Sequence, residues 1–112
     1  MKTFKLVLLA TLAVLFATSV QADDAATSVS LSIVNHKFDP DTIHVPAGKP
    51  VVIQVENKDS MAEEFDSSDL QVEKVIPGAR HGVVKLQALD KGSYNFIGEY
   101  HADTAKGVII AE

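Results

Sequence analysis

The feature that most constrains this chain is a succession of short segments in which apolar and polar residues alternate. VSLSIVN at 29–35 leads into the turn-forming segment NHKFDPD at 35–41, and VVIQVEN at 51–57 repeats the alternation. A period of two over about four to eight residues is the pattern of a half-buried β-strand. From residue 23 onward, no window has the i, i+3, i+4, i+7 spacing of an amphipathic helix. The sequence therefore predicts an all-β domain.

Turn-forming residues separate the strands at a spacing of about ten residues. Residues 46–50, PAGKP, form a tight connection in which Gly48 can adopt a positive φ and the prolines block strand pairing. About seven or eight short strands at this spacing predict a Greek-key β-sandwich. A barrel such as an OB-fold is the alternative, but the chain lacks an aromatic stacking surface. The other predicted strand segments are residues 42–45, 63–68, 71–78, 81–89, 92–100 and 106–112.

The first 22 residues have the three zones of an export signal. Lys2 and Lys5 precede the apolar run LVLLATLAVLFA, and residues 20–22, VQA, form a site for cleavage after Ala22. The apolar run is shorter than the ~20 residues that a membrane helix needs. We therefore expect a periplasmic protein whose folded domain is residues 23–112, without stable membrane insertion. An uncleaved anchor is the alternative.

The composition excludes several classes of function. The chain carries 15 acidic and 10 basic residues, and two of the basic residues lie in the predicted signal. Such an acidic domain is not expected to bind nucleic acid or anionic lipid. The chain has no cysteine, which excludes disulfides and a thiolate ligand. A small exported domain often gains stability from disulfides or a metal, and only the metal is open here.

Several stretches of the chain resemble one family. Phe38-Asp39-Pro40, Val45-Pro46-Ala47-Gly48 and the strand-ending Asn57 are similar to the opening of cupredoxin-like domains. The stretch from Tyr94 to Gly107 is similar to the strand and ligand loop that close the same fold. The resemblance covers residues 28–112 and implies a cupredoxin-like sandwich.

A narrower resemblance is carried by MAEEFDSSDL at 61–70, VIPG at 75–78 and GEYHADTAKGVIIAE at 98–112. These stretches look most like periplasmic proteins that accompany ferrous-iron permeases, namely the EfeO-type cupredoxin-like domain and its stand-alone FtrB-type relatives. The resemblance implies a protein that binds iron, copper or both and helps to oxidise ferrous iron before uptake. Its expected partner is a ferrous-iron permease or a companion periplasmic iron-binding protein. Whether it turns over as a ferroxidase stays open.

Only one ligand of a blue-copper site is present in this sequence. By the resemblance, the pattern Cys-x-x-His-x-x-Met falls at Gly98, His101 and Thr104, and the upstream histidine falls near Glu63. Without thiolate and thioether ligands the site is not of the blue-copper kind. Carboxylates and imidazole suit iron, manganese, zinc or copper(II), and carboxylates favour iron(III) over iron(II).

The predicted metal ligands are therefore Glu63, Glu64, Glu99 and His101. In an extended strand Glu99 and His101 lie on the same face, and Glu63 or Glu64 from the neighbouring loop would complete the set. Phe65 is expected to point into the core, which places Glu64 on the opposite face of a regular strand. A bulge would reverse that choice, so both glutamates stay candidates.

Each candidate also has an ordinary interpretation. The acids within residues 61–69 would form a solvated loop, and His101 would be a surface histidine. His36, His44 and His81 are expected at exposed strand or turn positions without a function. Asp66 and Asp103 are reserve ligands.

Two other functions stay open. The protein would act as a periplasmic copper(II) carrier without turnover, or as a metal-free interaction module that uses the sandwich only as a scaffold. Copper affinity far above iron affinity would favour the carrier, and metal affinity that survives changes to Glu99 and His101 would favour the module.

Overall fold

The computed structural model of the protein describes residues 25–112, together with the isolated residues 3, 13 and 14. Apart from those three positions, the predicted export signal lies outside the described residues, as does its cleavage position after Ala22. Among the described residues, no helix has the length and hydropathy needed to cross a membrane.

Nine β-strands and one 3₁₀ turn occupy the described chain, and residues 25–112 contain no α-helix. The predicted all-β sandwich is confirmed. The strand count exceeds the expected one because residues 37–39, assigned to a turn from the sequence, form a short strand. In chain order the elements are β1 (Thr27–Val34), β2 (Lys37–Asp39), β3 (Thr42–Val45), β4 (Val51–Asn57), β5 (Glu63–Ser67), β6 (Val72–Ile76), β7 (His81–Leu86), β8 (Gly92–Gly98), the 3₁₀ turn (Glu99–His101) and β9 (Lys106–Ala111).

The strands form two sheets. One has four strands in the order β2-β1-β4-β7, and the other has five in the order β3-β9-β8-β5-β6. Strands β1 and β4 pair in parallel, as do β3 and β9, and the other pairs described are antiparallel. Strands adjacent in a sheet but distant in the chain require crossovers, as in a Greek-key sandwich.

Three phenylalanines mark the core between the sheets. The ring of Phe96 stacks on Phe65 at a centroid distance of 4.8 Å and meets Phe38 edge-on at 4.9 Å. Burying each such side chain contributes about 1.5–3 kcal/mol. Because successive residues of a strand face opposite sides, the inward position of Phe65 makes Glu63 face inward too, and Glu64 faces outward. Glu63 is buried and Glu64 is partly exposed.

A two-residue turn joins β1 to β2. Val34 pairs with Lys37, so Asn35 and His36 are the central residues of the turn. Their φ angles are 52° and 57°, as a tight hairpin turn of the primed type requires. Asparagine is common in this conformation, whereas the second central position is usually glycine. A histidine is therefore held there at a conformational cost.

Candidate metal centre

Three side chains from distant parts of the chain meet at one end of the sandwich. They are His36 from the β1–β2 turn, Glu63 at the start of β5 and His101 from the 3₁₀ turn after β8, and one ligand atom of each lies within 4.8 Å of the others. We call these three residues the histidine site. The fold brings them together because β5 and β8 are neighbours in one sheet and the β1–β2 turn folds over their ends.

Glu63 is a buried carboxylate with both oxygens engaged. Its side chain is 1% exposed. Oε1 accepts hydrogen bonds from the backbone N–H groups of Glu64 and Tyr100, each at 3.0 Å, and Oε2 lies 2.6 Å from Nδ1 of His101. A carboxylate acceptor requires the ring nitrogen to carry the proton in this bond. Burying a charge is costly unless it is paired and hydrogen-bonded, and here backbone donors from β5 itself and from the 3₁₀ turn hold the carboxylate.

Gly98 is the residue that makes room for the carboxylate. A Cβ atom at residue 98 would lie 2.6 Å from Cδ of Glu63 and 2.6 Å from Cβ of Ala105. These distances are too short for any side chain. Glu63 therefore occupies the space that a ligand on residue 98 would need.

His101 lies in a tight loop instead of an extended strand. Strand β8 ends at Gly98, and Glu99–His101 form a 3₁₀ turn, in which residues two apart do not share a face. The backbone N–H groups of Thr104 and Ala105 donate to the carbonyl of His101 at 3.1 and 2.8 Å. The expectation that Glu99 and His101 point the same way along a strand is therefore not met.

His36 stacks directly on His101. The ring centroids are 3.7 Å apart and the ring planes differ by 13°. The side chain of His36 is 40% exposed, against 17% for His101, so the site opens to solvent on the His36 side. His36 was not among the ligands predicted from the sequence. The signal that could have found it is a histidine in a hairpin position that favours glycine.

Asp59 and Thr104 hold the turn that carries His36. The carboxylate of Asp59 accepts the backbone N–H of Asn35 at 2.8 Å and that of His36 at 2.9 Å, and its Oδ2 lies 3.6 Å from Nδ1 of His36. The bond from the His36 N–H lowers the pKa of Asp59, and partial burial opposes this effect. The hydroxyl of Thr104 donates to the carbonyl of His36 at 2.7 Å.

The other predicted ligands belong to a second group. Glu64, Glu73 and Glu99 place carboxylate oxygens within 4.8 Å of one another, and we call them the acidic cluster. A hydrogen bond to Asp66, followed by the charges of Asp66, Glu64 and Glu73, raises the pKa of Glu99. Desolvation and then the charge of Glu64 raise the pKa of Tyr100.

The four predicted ligands therefore divide between two places. Glu63 and His101 join His36, whereas Glu64 and Glu99 join Glu73. The division follows from strand alternation, since Glu63 and Glu64 point to opposite faces of β5. Of the reserve ligands, Asp66 contacts Glu99, and Asp103 is exposed and outside both groups of described residues.

Comparisons with known proteins agree with this architecture. The family model for the cupredoxin-like domain matches residues 5–111. An uncharacterized protein of Rickettsia prowazekii (strain Madrid E) is 34% identical over 90 residues, which are 80% of this chain and 72% of the relative.

Similar solved structures share the fold at low sequence identity. Auracyanin A, a "blue" copper protein from Chloroflexus aurantiacus, has a TM-score of 0.67 and 14% identity, over 79% of this chain and all of that chain. The metal binding domain of a Cu(I) exporting P-type ATPase from Streptococcus pneumoniae D39 has a TM-score of 0.66 and 14% identity, over 76% and 84% of the two chains. Amicyanin from Paracoccus versutus has a TM-score of 0.59 and 17% identity, over 81% and 87%.

The residues of this chain do not fit a blue-copper centre. The chain has no cysteine, and the carboxylate of Glu63 fills the space beside Gly98. Two imidazoles and one carboxylate are instead a donor set for a divalent ion of intermediate or hard character, such as iron(II), zinc or copper(II). The donor types therefore suit an ion that does not require soft ligands.

Proposed function

The chain belongs to the cupredoxin-like domain family, and from that premise we propose that it binds one divalent transition-metal ion at the histidine site. The observation that carries this proposal is the meeting of two imidazoles with one buried carboxylate, within 4.8 Å, at a solvent-open end of the sandwich. Each residue comes from a different hairpin or loop. No local sequence preference accounts for their meeting.

The surroundings of Glu63 support a ligand role. In the described part of the chain, the ion pair of this carboxylate is with His101, and no lysine or arginine forms an ion pair with it. An ion that takes Oε2 of Glu63 as a ligand would replace the hydrogen bond between this oxygen and Nδ1 of His101. The buried charge of Glu63 would then be balanced by the ion.

The stacking of the two rings gives the site a metal-free resting geometry. Lone pairs of imidazole lie in the ring plane, and two planes that are nearly parallel do not direct them to one point. Ligand nitrogens lie about 2.0–2.1 Å from a zinc-like ion. One ring must therefore turn when metal binds, and the ring of His36 is the more exposed of the two.

Ferrous iron is the metal that we propose as the cargo. Two histidines and one carboxylate form the ligand set of many non-heme iron(II) sites, and the carboxylate favours iron(III). Together with the resemblance of residues 61–70 and 98–112 to iron-uptake proteins, this set supports binding of iron(II) and assistance to its oxidation. We place the protein in the periplasm, serving a ferrous-iron permease or a companion iron-binding protein.

A copper(II) carrier is the second candidate. Sites with nitrogen and oxygen donors bind copper(II) more tightly than the other divalent ions of the series, and the similar structures include copper-binding proteins. The histidine site has no thiolate or thioether, so copper(I) would be held weakly. Such a protein would carry copper(II) without turnover.

Glu64 and Glu99 stay predicted ligands. With Glu73 they would form a position on the outer sheet face that is separate from the histidine site. A second ion that binds to the wild type and not to a Glu99→Gln variant would support them.

Metal titrations of the purified, metal-stripped protein test the proposal. We expect one iron(II) ion, under anaerobic conditions, or one copper(II) ion per chain at the histidine site. His36→Ala, Glu63→Gln and His101→Ala should each lower the affinity at least about tenfold, since even outer-shell changes have effects of that size. His44→Ala is the matched control, because His44 is exposed and pairs with Glu112 away from the site. Equal affinity in all variants would favour a metal-free interaction module.

Oxygen uptake in the presence of iron(II) separates the two metal functions. The iron proposal predicts faster oxidation of iron(II) with the wild type, and loss of that acceleration with Glu63→Gln. A copper(II) affinity far above the iron(II) affinity, with no acceleration of iron oxidation, would identify a copper carrier.

A further inference from the structure

We propose that Asp59 and Thr104 are positioning residues that hold His36 at the metal site. The inference rests on the proposed function, because it concerns how one ligand of that site is presented. Neither residue is among the four predicted ligands or the three residues of the histidine site. Both act on the backbone of the β1–β2 turn.

Such support matters because the conformation of the turn costs more for histidine than for glycine. His36 has a φ of 57°, in the left-handed region that residues with a Cβ rarely adopt. Strained residues persist where the surrounding structure holds them, and they concentrate at functional sites. A glycine at this position would relieve the strain and would remove the imidazole.

Asp59 supplies two bonds to the turn from a fixed position. Its two carboxylate oxygens accept separate backbone N–H groups, those of Asn35 and His36. Asp59 is itself held, because its N–H donates to the side chain of Asn57 at 3.1 Å and its carbonyl accepts the N–H of Ala79 at 2.8 Å. Asn57 is buried in the core. The turn is thus tied to the body of the sandwich through a charged acceptor.

Thr104 ties the same turn to the loop that carries the second histidine. Its hydroxyl donates to the carbonyl of His36 at 2.7 Å, and it lies 3.3 Å from the carbonyl oxygen of His101. By the sequence resemblance, residue 104 is where a blue-copper protein has its methionine. In this chain the hydroxyl at that position links the backbones of the two histidines.

Asp59 also lies beside the ring that must turn. The distance of 3.6 Å from Oδ2 to Nδ1 of His36 exceeds that of a hydrogen bond, so Asp59 restrains the backbone in the metal-free protein. Carboxylates that orient a ligating histidine are common outside the ligand shell of metal sites. Besides Glu63 of the histidine site, Asp59 is a carboxylate close to this ring.

A double-mutant cycle tests the role of Asp59. Asp59→Asn should lower metal affinity about tenfold in the wild-type background and by less than about twofold in the His36→Ala background, because it acts through His36. The control is Asp69→Asn, since Asp69 also accepts a backbone N–H, that of Asn95 at 2.8 Å, but away from the site. An equal loss in both backgrounds, or no loss in either, would overturn the proposal for Asp59.

Substitutions of Thr104 provide an independent test that leaves the net charge of the protein unchanged. Thr104→Val removes the hydroxyl at nearly constant size and should lower the affinity, whereas Thr104→Ser keeps the hydroxyl and should restore it. Equal affinities for the two variants would overturn the role of Thr104. The Thr104 variants also keep the proposal testable if Asp59→Asn fails to fold.

A measurement on the metal-free protein distinguishes failure of this inference from failure of the proposed function. If the wild type binds no divalent ion, the proposed function fails, and proximity between the His36 and His101 rings is measured by nuclear Overhauser effects instead. Loss of that proximity in Asp59→Asn and Thr104→Val would still support positioning. Unchanged ring proximity in both folded variants would overturn it.

Discussion

The carboxyl carbon of Glu63 lies 2.6 Å from where a Cβ atom on Gly98 would be. The carboxylate of Glu63 thus occupies the space that a side chain on residue 98 would need. The resemblance assigns a cysteine ligand to residue 98 in blue-copper proteins. Here the absence of a side chain at that residue allows a buried carboxylate to face His101.

Gly98→Ala tests this exchange of space. The added methyl group would press on Glu63 and Ala105, and overpacking of this kind destabilises a core by about 1–3 kcal/mol. We expect a lower free energy of unfolding in chemical denaturation and a lower metal affinity, since the carboxylate is displaced.

Gly82→Ala is the comparison for that experiment. Its Cβ would meet Cγ1 of Ile76 at 2.9 Å, so this variant also crowds a buried side chain, but one that is not part of the histidine site. Metal affinity should be retained in this variant. If Gly98→Ala also keeps full affinity and stability, Glu63 is not confined as described.

Copper(II) loading should give no intense blue-copper absorption. That absorption needs a cysteine thiolate bound to copper, and the chain contains no cysteine. Visible spectra of the copper-loaded protein should show only the weak bands of a site with nitrogen and oxygen donors. An intense blue colour would contradict the assigned donor set.

Glu99→Gln should stabilise the fold at neutral pH and low salt. The hydrogen bond and charge of Asp66, with the charges of Glu64 and Glu73, raise the pKa of Glu99, so the folded state holds this proton more tightly than the unfolded state does. Stability of the wild type therefore falls as the pH rises from about 4.3 through the raised pKa. The advantage of Glu99→Gln should vanish below about pH 4 and shrink with added salt.

Asp90→Asn is the matched control for the charge effect. Asp90 is exposed in the turn before β8. Its substitution by asparagine removes one negative charge, as Glu99→Gln does. Denaturation curves in which both variants gain equally would show a general charge effect instead of repulsion within the acidic cluster.

Much of the fold follows from the sequence because alternation and turn residues act locally. The inward direction of Phe65 correctly implied that Glu63 and Glu64 face opposite sides. The short strand at 37–39 was missed because three residues, flanked by turn-forming residues, are too few to show an alternation of apolar and polar side chains.

The site was less predictable because it depends on pairing across the chain. His36 meets His101 through the folding of the β1–β2 turn over the ends of β5 and β8. The direction of Glu99 depends on β8 ending at Gly98 and a 3₁₀ turn following it. The alternation of residues along a single strand predicts neither the contact of His36 with His101 nor the direction of Glu99.

Counting the histidine nitrogens on the bound ion tests whether His36 and His101 bind the same metal. Pulsed electron paramagnetic resonance of the protein loaded with one copper(II) ion resolves the nitrogens of coordinated imidazoles. We expect two imidazoles in the wild type and one in each of His36→Ala and His101→Ala, with His44→Ala unchanged at two. A single imidazole in the wild type, or a count that His36→Ala leaves unchanged, would contradict the histidine site.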